Sequence, residues 1–257
     1  MKKFEVFSFA SADELARAAA SAWLDEIESA KRAGKLHCAA LSGGRIAQKF
    51  FASVVEQAKA RKIGDGGTPS LPGNVHFFWA DERCVPPNDP ESNFKMANDL
   101  LFKPLKISKK QVHRIRGEDS PAAAAQSADV ELRQVVGNAS NFAGTEAGVP
   151  KLDLIFLGMG EDGHVASLFP NSSPESIRST APFLTVDNSP KPPPRRISLN
   201  YNVIAAAQQV WVLISGTGKE AALRKSLELS GKTPLGRVIQ LRQKTLIFSQ
   251  IRVDKKI

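Results

Sequence analysis

The residues best suited to chemistry lie in one glycine-hinged turn, Gly158-Met-Gly-Glu-Asp-Gly-His164. The apolar run Leu154 to Leu157 precedes it and reads as a fully buried strand. Gly158, Gly160 and Gly163 surround two carboxylates, Glu161 and Asp162, and then deliver an imidazole. Glycine lets backbone approach a ligand closely, and imidazole exchanges a proton near neutral pH. In open α/β sheets, ligands bind just past the carboxyl ends of strands. The turn therefore reads as a small-molecule site centred on His164. The alternative is a core histidine satisfied by a backbone carbonyl, the role assigned to His37, His76 and His113, which lie in or near strands.

Three further segments end apolar runs with polar or glycine-rich turns. Ser42-Gly43-Gly44 leads straight into a helix, where free backbone N–H groups can cradle an anion or simply make a tight turn. Trp79-Ala-Asp81-Glu82-Arg83 places three charges directly after His76-Phe-Phe-Trp79. Arg83 there can hold an anionic or carbonyl oxygen; the alternative is a structural ion pair with Asp81 or Glu82. Arg196-Ile-Ser-Leu-Asn200 and Gly216-Thr-Gly-Lys219 each read alone as surface cations. Together with Ser42 to Gly44 they outline a phosphate pocket.

Residues 158–163 also match the dinucleotide fingerprint, with a preceding strand and an expected helical stretch after it. That reading is rejected on three counts. The motif lies past the chain's midpoint, its two acids would face a pyrophosphate, and the acid wanted about 20 residues on, at the end of the next strand, has no clear candidate. Cys38 and Cys84, the only cysteines, have no metal-ligand spacing and are expected to be unpaired thiols. Cys84 has no evident base, so a Cys84→Ala variant is expected to keep most activity.

The elements that must position these groups alternate. Strands are expected at Phe4 to Phe9, His37 to Leu41, Val75 to Ala80, Leu154 to Leu157, Pro182 to Val186, Val210 to Ile214 and Thr245 to Ser249. Helices are expected from the capping box Ser11-Ala-Asp-Glu14 to near Gly34, and over Ile46 to Lys62, Ser92 to Leu101, Ser120 to Val136 and Gly218 to Leu229. Loops are expected at Gly64 to Gly73 and Gly137 to Pro150. Asn188 to Arg196 reads as a stiff Pro-rich loop carrying Lys191, Arg195 and Arg196 and no acid. This alternation predicts an α/β fold: a doubly wound, mainly parallel, Rossmann-like sheet with helices on both faces, as one domain over residues 1–257.

At 257 residues, with 42% hydrophobic and 24% charged content, the composition is that of an ordinary soluble protein. No apolar stretch approaches a membrane span, and no signal peptide follows Met1, so a cytoplasmic location with no membrane partner is expected. The net charge of +9 suits a nucleic acid, an anionic metabolite or solubility. Scattered basic residues and a lack of interleaved aromatics argue against nucleic acid.

Taken in order along most of the chain, these motifs resemble the 6-phosphogluconolactonase family. The resemblance is carried by Ser42-Gly-Gly44, Trp79-Ala-Asp-Glu-Arg83 with Asp89-Pro-Glu-Ser-Asn93, Gly158 to Pro170, Arg196 to Asn200 and Gly216 to Lys219. It implies the fold shared by glucosamine-6-phosphate deaminases and ribose-5-phosphate isomerases. It also implies a place in the oxidative pentose phosphate pathway and no metal or cofactor. The implied reaction is hydrolysis of 6-phospho-D-glucono-1,5-lactone, with His164 as general base on water, Asp162 orienting it and Arg83 steadying the oxyanion or substrate hydroxyls. Ser42, Gly43, Gly44, Arg45, Asp81, Arg196 and Lys219 are the implied substrate and phosphate contacts. The family's first loop usually continues Ser-Gly-Gly-Ser-Thr-Pro, whereas Arg45-Ile46-Ala47 stands here. Either Arg45 replaces the missing hydroxyls by charge or Arg196 and Lys219 hold the phosphate. The competing functions are a deaminase or sugar-phosphate isomerase on the same fold, and a non-catalytic sugar-phosphate-binding regulator. The expected assembly is a monomer or small homo-oligomer.

Overall fold

Strand β2 (His37–Leu41) is buried at every position, as expected for a strand covered on both faces. The structure, a computed structural model, describes residues 3–63, 70–139, 148–172, 179–228 and 231–252. Around β2 lies a six-stranded sheet. Its order is β1 (Phe4–Ser8), β9 (Thr245–Ser249), β8 (Gln209–Ile214), β5 (Leu154–Gly158), β2 and β3 (Val75–Trp79). Every neighbouring pair is parallel. From β2 the chain winds outward to β3, then returns to β5 and winds the other way. Strands β2 and β5 therefore flank the switch point, where loops diverge and leave a crevice at the strands' carboxyl ends. The doubly wound α/β architecture expected from the sequence is present.

A second sheet departs from the single-sheet expectation. Strands β4 (Asp81–Arg83), β7 (Arg196–Leu199) and β6 (Phe183–Val186) pair antiparallel in the order β4-β7-β6. Ala80 joins the two sheets: its N–H donates to Leu41 O (2.8 Å) and its carbonyl accepts from Leu199 N (2.7 Å). The charged Asp-Glu-Arg run is thus a strand and not a turn. Arg196–Leu199, fully buried, is a strand that begins where the Pro-rich loop ends.

Helix α1 (Ala12–Arg32) starts at Ser11, whose hydroxyl accepts from Glu14 N. The Glu14 carboxylate reaches back to Ala10 N, one residue beyond a standard capping box. Helix α2 (Arg45–Arg61) lies beside α1. Trp23 of α1, Phe50 of α2 and Phe156 of β5 meet with ring centroids 4.7–5.6 Å apart, forming the aromatic centre of the core. Helix α3 (Asn93–Ala97) continues into a wide turn at Asn98–Phe102, and α4 spans Pro121–Ala139, longer than expected at its end. Helices α5 (Tyr201–Ala206), α6 (Glu220–Leu227) and α7 (Pro234–Leu241) complete the fold. Helix α7 is not evident from the sequence; Pro234 at its first position and the Thr233 cap start it. Most of Gly64 to Gly73 and residues 140–147 of the Gly137 to Pro150 loop lie outside the described residues.

The remaining histidines are satisfied by side chains, not by carbonyls. Trp23 Nε1 donates to His37 Nε2 (3.0 Å). His76 Nδ1 bonds His113 Nε2 (2.7 Å), and His113 Nδ1 bonds Glu131 (2.7 Å). Among the described residues no helix is long and apolar enough to cross a membrane.

Candidate active site

The turn after β5 is shaped around an imidazole. Gly163 sits at φ +82°, and a Cβ there would press on Thr233 at 2.8 Å. A methyl on Gly160 would overlap the His164 ring itself. Both glycines are therefore required sterically. His164 Nδ1 meets Asp162 Oδ1 at 2.5 Å, and the same oxygen accepts from His164 N (3.1 Å). A carboxylate partner fixes the proton on Nδ1 and leaves Nε2 as the free basic nitrogen. Burial pushes the His164 imidazole below its ordinary value, with Asp162 opposing and Lys191 adding to the depression. Burial alone would raise Asp162, but its bonds from His164 outweigh that and hold it below the usual carboxylate range. The imidazole is thus neutral near pH 7, as a proton acceptor must be.

No helix follows this turn within residues 164–172, contrary to expectation. Instead Val165 bridges Leu168 around Ala166, a non-glycine residue at φ +50°. The dinucleotide motif therefore lacks the helix N-terminus that would receive a pyrophosphate. The turn is fastened to the second sheet. Ser167 N donates to Ser198 Oγ (3.1 Å), and Ser167 Oγ donates to Asp81 Oδ2 (2.6 Å).

The imidazole opens into a cavity of about 300 Å³. Every expected site residue except Asp162, which acts behind the imidazole, lines it: Ser42, Gly43, Gly44, Arg45, Asp81, Arg83, His164, Arg196 and Lys219. Five cations line it, the four above plus Lys191, against the carboxylates Asp81 and Glu161. Such a wall favours an anion. Ser42 Oγ donates to Phe156 O (2.7 Å), tying the loop after β2 to β5. Gly44, at φ +97°, begins α2 with no side-chain cap and no acid in the first turn, so its leading N–H groups are open to an anion. Burial lowers the Lys219 ammonium below its usual range, and Arg45 lowers it further against an opposing Glu161.

Arg83 does not pair with Asp81 or Glu82. Its Nη1 donates to Glu91 O (2.6 Å) and lies 3.4 Å from Glu91 Oε2. Glu82 is buried and accepts from the backbone N–H of Arg83, Asn93 and Phe94 and from Ser92 Oγ. Asn93 donates to the Asp81 carbonyl (2.9 Å) and carboxylate (3.2 Å) and also lines the cavity. Arg196 is largely committed: Nε donates to Pro193 O, and Nη2 to Lys191 O and Pro192 O. The Phe169 ring neighbours both the Arg196 guanidinium, 5.8 Å from its centroid, and the His164 ring, 4.8 Å between centroids. Cys84 lies outside the cavity lining, and burial pushes its thiol up, away from a reactive thiolate.

Residues 10–248 match the family model of glucosamine-6-phosphate isomerases/6-phosphogluconolactonase. The chain belongs to this family. A 6-phosphogluconolactonase of Mycobacterium tuberculosis is 35% identical over 202 residues, covering 73% of this chain and 81% of the relative. One from Treponema pallidum is 33% identical over 212 residues, covering 82% and 80%. The crystal structure of 6-phosphogluconolactonase from Leishmania guyanensis superposes with a TM-score of 0.76 at 26% identity over 95% of each chain. In this chain the cavity lies where the carboxyl ends of β2, β5 and β8 meet.

Among the lining residues that sequence reasoning left out of the site are Lys191, Asn93 and Glu161. For Lys191 a signal existed, a run of prolines and cations without any acid. Asn93 belongs to the Asp89-Pro-Glu-Ser-Asn93 motif, but its role was not legible because it depends on Asp81, twelve residues earlier and on another element.

Proposed function

We propose that this chain is a 6-phosphogluconolactonase, hydrolysing 6-phospho-D-glucono-1,5-lactone to 6-phosphogluconate. The observation that supports it best is the His164–Asp162 pair, with Nε2 unbonded at the edge of a cation-lined cavity. His164 Nε2 removes a proton from water as the water oxygen attacks lactone C1. The tetrahedral intermediate then expels the ring oxygen, which takes the proton from the imidazolium. The released carboxylic acid ionises to solvent. Asp162 keeps the imidazole in the correct tautomer and stabilises the transient imidazolium. Ser42 to Gly44, Arg45 and Lys219 receive the phosphate, in keeping with the uncapped α2 N-terminus. Arg83 and Asp81 meet the sugar hydroxyls. One catalytic domain over residues 1–257 serves, since these groups come from the length of the chain.

The test generates the lactone in situ with glucose-6-phosphate dehydrogenase and follows acid release above the spontaneous rate. His164→Ala is expected to lose about 10²–10⁴-fold, the usual contribution of a positioned base. A His164→Ala enzyme as fast as wild type refutes the role of the imidazole. Release of ammonia from glucosamine 6-phosphate would instead assign a deaminase.

A further inference from the structure

We propose that Lys191 supplies the positive charge that faces the C1 oxygen as it becomes anionic, and that Arg196 is a positioning residue that holds Lys191 there. The proposal rests on the lactonase reading above and assigns the residue that its oxyanion requires.

The loop bearing Lys191 is laced from within. Ser189 N donates to Pro194 O (2.9 Å), closing the loop, and Ser189 Oγ donates to Lys191 O (2.8 Å). Lys191 N in turn donates to Ser189 Oγ (3.2 Å). Arg196 then takes up the carbonyls of Lys191, Pro192 and Pro193 at 3.0–3.1 Å. Three consecutive prolines supply no N–H and restrict φ, so the loop has few alternative conformations. Arg196, which secures it, is 4% exposed, and its guanidinium lies over the Phe169 ring that also contacts His164.

All this fixes a residue with no structural task of its own. Lys191 lines the cavity, and among the described residues its ammonium makes no ion pair or hydrogen bond. Of the other cations, Arg83 gives Nη1 to Glu91, Arg196 gives Nε and Nη2 to the loop carbonyls, and Lys219 feels Arg45, Glu161 and Lys191. Arg83 keeps a buried Nε without a partner among the described residues, so it and Lys191 are the cations compared by the variants below. Of the charges acting on the His164 imidazole, Lys191 is the positive one, while Asp162 and Asp81 are negative. A cation that acts on the base and makes no ion pair among the described residues is placed where water attack creates negative charge.

Lys191→Met tests this, with Lys191→Arg, Arg83→Met and Arg196→Lys alongside. The expected result for Lys191→Met is a kcat lowered by about 10²-fold, the scale of losing one oxyanion donor, with KM little changed. The acidic limb of kcat/KM moves to higher pH, because a positive charge that opposes imidazole protonation is gone. Lys191→Arg restores part of kcat. Arg196→Lys reproduces a weaker form of the Lys191→Met defect, in kcat and in the pH limb. A binding measurement separates this from the lactonase reading. Titration with 6-phosphogluconate and glucitol 6-phosphate compares ligands with and without a C1 carboxylate. Lys191→Met is expected to weaken the first about tenfold and leave the second unchanged. Equal weakening of both, or a raised KM with unchanged kcat, makes Lys191 a phosphate contact and overturns the proposal. A larger loss of kcat in Arg83→Met than in Lys191→Met, with KM unchanged, gives the oxyanion to Arg83 and overturns it too. Failure of wild type to turn over the lactone overturns the proposal together with the lactonase reading, whereas wild-type turnover with an unchanged kcat in Lys191→Met overturns the proposal alone.

Discussion

Arg83 and Arg196 stand directly opposite one another across antiparallel strands β4 and β7. Like charges in cross-strand register repel, and such pairs are ordinarily avoided. Here each is partly offset, Arg83 by Glu91 and Arg196 by three carbonyls. A bound anion in the adjoining cavity reduces what remains. Inorganic phosphate or 6-phosphogluconate is therefore expected to raise Tm at constant ionic strength, by the equivalent of about 2.7 kcal/mol at one hundred times Kd. A melting curve that ignores both ligands contradicts the cavity's assignment.

Gly160→Ala tests the packing of the imidazole on the turn. The added methyl would overlap the His164 ring and press Asp162 Oδ1 at 2.8 Å, so the ring must leave its partner. The variant is expected to fold and to lose at least about tenfold in kcat, about 1.4 kcal/mol of transition-state stabilisation. Circular dichroism with kcat near wild type would show that the pair does not need this glycine.

Arg45 and Lys219 line the cavity beside the Gly216 turn. Replacing either by Ala removes a charge-assisted contact worth about 1.5–3 kcal/mol. Steady-state kinetics should show KM raised about tenfold or more and kcat changed less. If Arg45→Ala leaves KM alone while Lys219→Ala raises it, the phosphate is held without the residue that replaces the family's usual hydroxyls.

Acid should weaken the fold through its buried imidazoles, against an opposing contribution from Glu26 and Glu82, whose carboxyls burial pushes up. His37, His76 and His164 are all pushed below the ordinary imidazole value by burial, His76 also by His113. As pH falls through that ordinary value, the unfolded chain binds protons that the folded chain does not, and stability declines toward the depressed folded values. Tm measured from pH 7.5 to 5.5 is expected to fall. His37→Gln, which keeps an acceptor for Trp23, should flatten the slope; a Tm that rises toward acid rejects this account.

The parts of the fold legible in the sequence are those specified locally. The run Leu154 to Leu157 followed by spaced glycines fixes a buried strand and an open turn within a dozen residues, so His164 and Asp162 can be read directly. Strand β4 cannot be read this way. Asp81 and Glu82 are buried only because Ser167, Asn93, Phe94 and Ser198 arrive from distant segments to satisfy or pair them. Pairing set by such long-range partners leaves no period in the sequence. The same holds for Arg196, which reads as a phosphate cation but spends most of its donors on Lys191 to Pro193.

The bridge at Ala80 has a consequence for synthesis. It ties Leu41 to Leu199, so the crevice cannot close until the ribosome has released a segment translated long after the first strands. A nascent polypeptide ending before Gly216 already contains the imidazole and its carboxylate, yet lacks one wall of the pocket. Turnover therefore begins only after the segment through Lys219 has been translated, and truncations that remove it are expected to yield inert protein.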